Sequence, residues 1–182
     1  MEANTRTLDR IFDHPISYRI PLFQRTYVWT SENELGTLWA DLHELLERQE
    51  TDGSVRPHFL GAIVLDQLDN PTGSIETREV IDGQQRLTTL QLVLVAARTL
   101  AWELGLTRDR DRLSGLVENP ESRQEQPHDR FKVWPTNKDR STFQIAFDAS
   151  GPEQALQRCK DEELPYILGA YTYLYEQLRG WV

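Results

Sequence analysis

The chain has 182 residues, of which 38% are hydrophobic, and its formal net charge is −9. This length suits one domain over 1–182, and the share of aromatic and aliphatic residues excludes a disordered chain. The negative charge excludes a surface that coats DNA non-specifically, so any nucleic-acid contact should be local. The single cysteine excludes an internal disulfide, and no apolar run is long enough for a membrane helix. We therefore expect a cytoplasmic protein without a membrane contact.

Hydrophobic periodicity divides the first half of the chain into two helices and three strands. In chain order we predict a helix over 5–12, a strand over 16–20, a helix over about 32–49, a buried strand over 58–65 and a strand over 76–81. Ser31 and Glu34 have the spacing of a capping box, which would start the second helix. A turn through 70–73 predicts that the last two strands pair as a hairpin.

The last of these strands runs through a tight turn into a helix. The turn is 82–86, and Gly105 ends the helix that follows it. Residues 107–129 are rich in Arg, Asp, Glu, Gln and Pro, which predicts a flexible insertion with little core. Beyond it we predict a strand over 131–134, an amphipathic helix through 143–147, and helices over about 152–160 and 163–180. The whole pattern predicts an α/β (α+β) domain with a small mixed sheet surrounded by helices, and we expect it to be part of a longer protein.

The turn Asp82-Gly83-Gln84-Gln85-Arg86 has the strongest chemical signal in the sequence. The start of a helix leaves backbone N–H groups unpaired and bears partial positive charge, so it stabilises an anion. Gly83 lets a phosphate approach the main chain, and Arg86 adds a forked pair of donors. The turn therefore suits a phosphate-binding site. The competing interpretation is a capping box, in which Asp82 accepts from the main chain and Gln85 reaches back.

The segment 21–29, which follows the first predicted strand, is too aromatic for an ordinary loop. It interleaves aromatic with polar side chains, namely Phe23, Gln24, Arg25, Tyr27 and Trp29. Such a mixture of apolar rings with polar and cationic groups is typical of the lining of a binding surface. The alternative is an aromatic plug in the core, with Arg25 paired to a nearby acid. The residues themselves do not choose between the two.

Several ordered blocks of sequence resemble the signature of the GmrSD-type N-terminal domain family. Three clear blocks lie at 20–29, 59–65 and 80–90, and a weaker fourth lies at 131–140 with Phe143. The resemblance implies a prokaryotic restriction protein with a fold similar to that of ParB and sulfiredoxin. In proteins of that fold a Gly-x-x-Arg turn before a helix binds nucleotide phosphates, and here Gly83 to Arg86 falls in that place.

The Asp-Gly-Gln-Gln-Arg motif is associated in this family with hydrolysis of a nucleoside triphosphate. The resemblance therefore implies an ATPase or GTPase in this chain. Arg86 is our candidate for stabilising charge on the phosphates. Asp82, Gln84 or Gln85 would hold the attacking water, and Asp82 is the candidate ligand for a magnesium ion.

Members of the family restrict modified DNA, including DNA with a phosphorothioate backbone, and commonly carry a C-terminal HNH-like nuclease domain. No His-Asn-His pattern occurs here, so we expect that nuclease domain to be absent from this chain. The implied partners are modified double-stranded DNA and the nuclease domain, with self-association left open. A phosphorothioate is larger and less hydrated than a phosphate, so its sensor needs an apolar wall beside polar phosphate contacts, and the aromatic and polar side chains of 21–29 are our candidates for that pairing. Lys138 and Asp139 precede a predicted helix and are further candidates for the nucleotide pocket, although an exposed charged helix start is the commoner outcome.

Two other functions are compatible with the same residues. One is a non-catalytic module that binds modified DNA and retains the phosphate site without turnover. The other is a ParB-like DNA-binding regulator, for which the sequence shows no helix-turn-helix signal.

Overall fold

A computed structural model describes residues 4–53, 57–71 and 73–182. Within these ranges four strands form one sheet, and seven α-helices surround it. The strands are β1 (Ile16–Arg19), β2 (Val64–Gln67), β3 (Glu76–Asp82) and β4 (Val133–Trp134). The helices are α1 (Leu8–Phe12), α2 (Glu34–Asp52), α3 (Gln84–Glu103), α4 (Thr107–Val117), α5 (Arg140–Asp148), α6 (Pro152–Arg158) and α7 (Tyr166–Trp181). The predicted mixed α/β architecture is confirmed.

The sheet has the strand order β2-β3-β1-β4. β1 runs parallel to both β3 and β4, whereas β2 is antiparallel to β3, as the predicted hairpin requires. Because β1, β3 and β4 are parallel, their carboxyl ends lie at the same end of the sheet. The segment 21–29, the turn 82–86 and the loop that begins at Pro135 therefore all leave the sheet at that end. Residue 72 of the predicted hairpin turn lies outside the described residues.

The core is organised around α3, which is buried on most of its surface. An amphipathic surface helix would bury only one stripe, whereas α3 packs against α4 and α7 as well as the sheet. Its aliphatic side chains join those of the sheet and of α5 and α7 in one cluster. The first turn of α3 is consequently held in place by the most buried helix in the described part of the chain.

Two local predictions for the first half of the chain are wrong. The strand expected over 58–65 is limited to β2, and Phe59 is 79% exposed. Among the described strands β2 is an edge strand that pairs only with β3, so the residues before it are free to pack elsewhere. The capping box of Ser31 and Glu34 also does not form. α2 begins after Asn33, whose side chain accepts a hydrogen bond from Thr30 N at 2.7 Å.

Residues 107–129 do not form the core-poor excursion that their composition suggests. They contain α4 and two short 3-10 turns, and Leu116 and Val117 are buried in the core. Asn119 is also buried, and its side chain accepts from Ile16 N at 3.0 Å and donates to Ile16 O at 2.8 Å. A polar side chain thus completes the hydrogen bonding of the sheet, which is why a polar composition here does not indicate a loop remote from the core.

Candidate functional site

The turn between β3 and α3 is held open by a glycine. Gly83 has φ +87°, a left-handed conformation that glycine adopts at little cost, and it occupies the N-cap position of α3. A Cβ at this position would lie 3.0 Å from Ala62 O. The first intrahelical bond runs from Leu87 N to Gly83 O at 2.9 Å, and no side chain in the described part of the chain caps the helix. The amides of the first turn are therefore available to an anion.

Asp82 and Gln85 do not form the capping box that the sequence allowed. The Asp82 side chain is exposed, and no cation among the described residues lies within ion-pair distance of it. The Gln85 side chain turns away from the helix start and bonds to another segment. The capping-box interpretation of this turn is therefore wrong.

Arg86 is partly exposed beside the turn. Its Nη1 donates to Ala62 O at 3.0 Å, and no carboxylate of the described residues forms an ion pair with it. The guanidinium lies where the side chain of residue 61 would be, since a Cβ on Gly61 would be 2.4 Å from Arg86 Cζ. The residues around Gly61 therefore set the position of the Arg86 guanidinium.

Gln85 connects the turn to the segment 21–29. Its Oε1 accepts from Val28 N at 2.9 Å, and its Nε2 donates to Thr26 O at 2.9 Å. The neighbouring Gln84 is also largely buried, but it makes no side-chain hydrogen bond to a described residue. Of the two glutamines in the motif, Gln85 is thus fully engaged in holding a main chain.

The segment 21–29 divides into buried and exposed side chains. Tyr27 is buried, and its hydroxyl lies 2.7 Å from Thr89 Oγ1, while Trp29 is half-buried against the core. Phe23 is 81% exposed, and Arg25 is exposed without an ion pair to any described residue. The core-plug interpretation therefore holds for Tyr27 but not for Phe23 and Arg25.

The same segment is fixed to the start of α3 and to the loop after β4. Gln24 Nε2 donates to Ile81 O at 3.0 Å, immediately before the turn. Asp139 Oδ2 accepts from Tyr27 N at 2.9 Å and from Thr136 Oγ1 at 2.8 Å. Burial raises the pKa of the Asp139 carboxyl above its ordinary value, and these two hydrogen bonds only partly oppose the shift. Asp139 is therefore a half-buried anchor of the segment.

Lys138 and Arg140 differ in exposure although they lie close together in the chain. Lys138 is exposed, whereas Arg140 packs over the ring of Trp134 with 5.0 Å between its Cζ and the ring centroid. Lys138 and Asp139, paired in our nucleotide-pocket prediction, thus differ in exposure.

The site also includes residues that the sequence reasoning did not single out. Gly61 positions Arg86, Thr89 receives the buried Tyr27 hydroxyl, and Thr136 supports Asp139. Gly61 lies inside the second sequence block, and its positive φ of +100° is the physical reason for a glycine there. Thr89 and Thr136 lie in the third and fourth blocks. The first three blocks therefore meet at the start of α3, and the fourth joins them through the bond between Asp139 and Tyr27 N.

Among the described residues, metal-ligand clusters and surface depressions do not indicate a second site. Within the described ranges no group of three or more His, Cys, Asp or Glu is arranged to hold a metal ion. A depression of about 500 Å³ beside Trp39 and another of about 410 Å³ around Lys132 contain no residue of the turn or of the segment 21–29. The candidate site is therefore defined by the hydrogen bonds that converge on the start of α3, and not by a surface depression. The described helices include none that is long and apolar enough to cross a bilayer.

The fold and the turn define a mixed α/β domain with an open helix start suited to an anion. Residues 8–180 match the family described as GmrSD restriction endonuclease, N-terminal domain, and the chain belongs to that family. No curated protein matches the sequence. Family membership makes the chain the N-terminal domain of a DNA-acting restriction protein.

Proposed function

We propose that this domain binds a nucleoside triphosphate, GTP or ATP, at the Gly83 turn and hydrolyses it when the protein engages modified DNA. The observation that carries the proposal is the uncapped start of α3 with Arg86 beside it. Main-chain amides and an arginine without a described carboxylate partner are two kinds of donor to an anion within one turn. A polyphosphate is the ligand class that uses both kinds of donor.

Each residue of the turn has a distinct role in this proposal. Gly83 lets the phosphates reach the amides, and Arg86 stabilises the charge that develops on them. Asp82 is exposed and suits a magnesium ion, which prefers one or two carboxylates together with phosphate oxygens and water. With both polar atoms of Gln85 bonded to main chain, Asp82 and Gln84 are the better candidates for positioning the attacking water.

Nucleotide contacts from the loop after β4 are the less supported part of the proposal. Lys138 is exposed and free to reach a phosphate, whereas Asp139 is committed to Tyr27 N and Thr136. Asp139 would then act on the nucleotide only through the segment it anchors.

The segment 21–29 is the proposed sensor of the DNA modification. Phe23 presents an apolar ring to solvent, and exposed Arg25 lies two residues along the chain. A phosphorothioate replaces one phosphate oxygen with a larger, less hydrated sulfur, so it favours an apolar contact beside an ionic one. We propose phosphorothioate as the modification on this basis, and in the full protein a C-terminal nuclease domain would cut the DNA.

The test is a phosphate-release assay on the full-length protein with GTP and with ATP. Each nucleotide is assayed alone, with an unmodified duplex and with a phosphorothioate duplex of the same sequence. We expect turnover of one triphosphate, increased by the modified duplex. Binding of nucleotide and duplex without turnover under every condition would contradict hydrolysis and support the non-catalytic module instead. Equal responses to both duplexes would contradict phosphorothioate sensing alone.

A further inference from the structure

Gln85 occupies an unusual position between two parts of the proposed site. It is the second residue of α3, in the turn proposed to hold phosphate, yet it is only 7% exposed. Its carboxamide makes one bond as acceptor, from Val28 N, and one as donor, to Thr26 O, both at 2.9 Å. These bonds flank Tyr27 on the main chain of the segment 21–29. A single side chain therefore ties the phosphate turn to the proposed DNA sensor.

The geometry of this bridge is selective. A carboxamide satisfies both bonds only when residues 26–28 lie at one distance and orientation from the first turn of α3. Leaving either buried partner unpaired would cost free energy, so a shift of the helix start and a shift of the segment are linked.

The other ties of the segment differ from this one. Tyr27 OH bonds to Thr89, a full turn further along α3, and Tyr27 N bonds to Asp139 on the loop after β4. Gln24 Nε2 bonds to Ile81 O in β3, before the turn. Of these residues, Gln85 alone also contributes its own main-chain amide to the turn that is proposed to hold phosphate.

We infer that Gln85 is a positioning residue that couples nucleotide binding at the turn to modified-DNA binding by the segment 21–29, an inference that rests on the proposed function. Nucleotide at the amides of the first turn fixes the Gln85 main chain, and its carboxamide transmits that constraint to residues 26–28. Because coupling between two binding sites is reciprocal, duplex binding tightens the nucleotide site by the same factor. Gln85 thus has a role distinct from contact with the reacting phosphate.

The test measures this coupling in the full-length protein. The Kd of a phosphorothioate duplex is determined without and with a saturating non-hydrolysable triphosphate analogue, and the ratio of the two values is the coupling factor. We expect a factor of at least about 5 in the wild type, within the usual range for coupled sites. Gln85→Met keeps the size of the side chain, removes both bonds and should bring the factor close to one.

Gln91 provides a matched control on the same helix. It is fully buried, and its Nε2 donates to Leu116 O rather than to the segment 21–29. Gln91→Met removes a buried glutamine of α3 in the same way, and we expect it to retain the wild-type coupling factor. If both variants lost coupling equally, the effect would belong to helix stability and the inference would be overturned.

The remaining outcomes separate the inference from the proposed function. A wild type that binds no triphosphate overturns both. A coupled wild type with an equally coupled Gln85→Met overturns the inference alone. Should Gln85→Met not fold, Gln85→Glu replaces it, since a carboxylate still accepts from Val28 N but cannot donate to Thr26 O. Loss of coupling in Gln85→Glu supports the bridge, and full coupling overturns it.

Discussion

The guanidinium of Arg86 occupies the space that a side chain on residue 61 would need. Cζ, Nε and Nη1 of Arg86 all lie within 2.8 Å of the position of a Cβ on Gly61, and Nη1 also donates to Ala62 O at 3.0 Å. The second and third sequence blocks are therefore in direct contact. In the proposed function, this contact aims the arginine at the phosphates.

Arg86→Ala should reduce phosphate release by at least about 100-fold, as is typical when one preorganised donor to a developing charge is removed. Unfolding free energy should fall by less than about 1.5 kcal/mol, because the described contacts of the side chain include one hydrogen bond and no ion pair. Steady-state phosphate release and urea unfolding measure the two effects. Arg112→Ala, which removes an exposed arginine paired with Asp9, is the control and should leave turnover unchanged. Wild-type turnover in Arg86→Ala would remove the motif from the mechanism.

Gly61→Ala should impair turnover by displacing Arg86. Alanine at φ +100° is strained by about 1–3 kcal/mol, and its Cβ would overlap the guanidinium. Gly53→Ala is the matched control, because Gly53 also has a positive φ of +67° but no atom of the described residues within 4 Å of its Cβ position. Both variants should lose stability in thermal unfolding, and only Gly61→Ala should lose phosphate release. Equal turnover in the two variants would show that Gly61 does not position Arg86.

Truncation of Tyr27 should destabilise the fold, whereas truncation of Phe23 should affect DNA binding instead. Tyr27→Ala removes a buried aromatic ring and should lower the unfolding free energy by about 3–5 kcal/mol. Phe23→Ala should change it by no more than about 0.5 kcal/mol, since the ring is 81% exposed. If the segment senses the modification, Phe23→Ala weakens binding of a phosphorothioate duplex more than that of an unmodified duplex. Equal losses for the two duplexes would indicate a general DNA contact.

Asp139 should make stability depend on pH in the acidic range. Burial raises its folded-state pKa above 3.8. Between 3.8 and the raised value, a larger fraction of folded than of unfolded molecules therefore carries the proton. This contribution to stability is fully present below 3.8 and is lost as pH rises through the folded pKa. Relative to Asp139→Asn, the wild type should therefore gain stability as pH is lowered from 7 towards 4. Urea unfolding of both proteins across that range measures the difference, and a constant difference would contradict the shift.

Much of the fold follows from local patterns in the sequence. The apolar repeat after 82–86 predicts α3, and the alternation over 16–20 predicts β1, because helical and strand periods are local properties of the chain. The apolar run over 58–65 misleads, since Ile63 lies against the Gly83 turn and Phe59 is exposed, so the run does not extend β2. Composition also misleads over 107–129, where a buried asparagine completes β1.

The sequence by itself singled out the turn and the aromatic segment as candidate site residues, because glycine, arginine and aromatic residues have chemical preferences that do not depend on their neighbours. Only the tertiary structure decided how they are connected. Parallel pairing of β1, β3 and β4 brings their carboxyl ends to the same end of the sheet. There the Gln85 side chain bonds to the main chain of residues 26–28 instead of capping its own helix. Such a contact spans nearly sixty residues of chain, and no local pattern encodes which distant main-chain atoms a glutamine will meet.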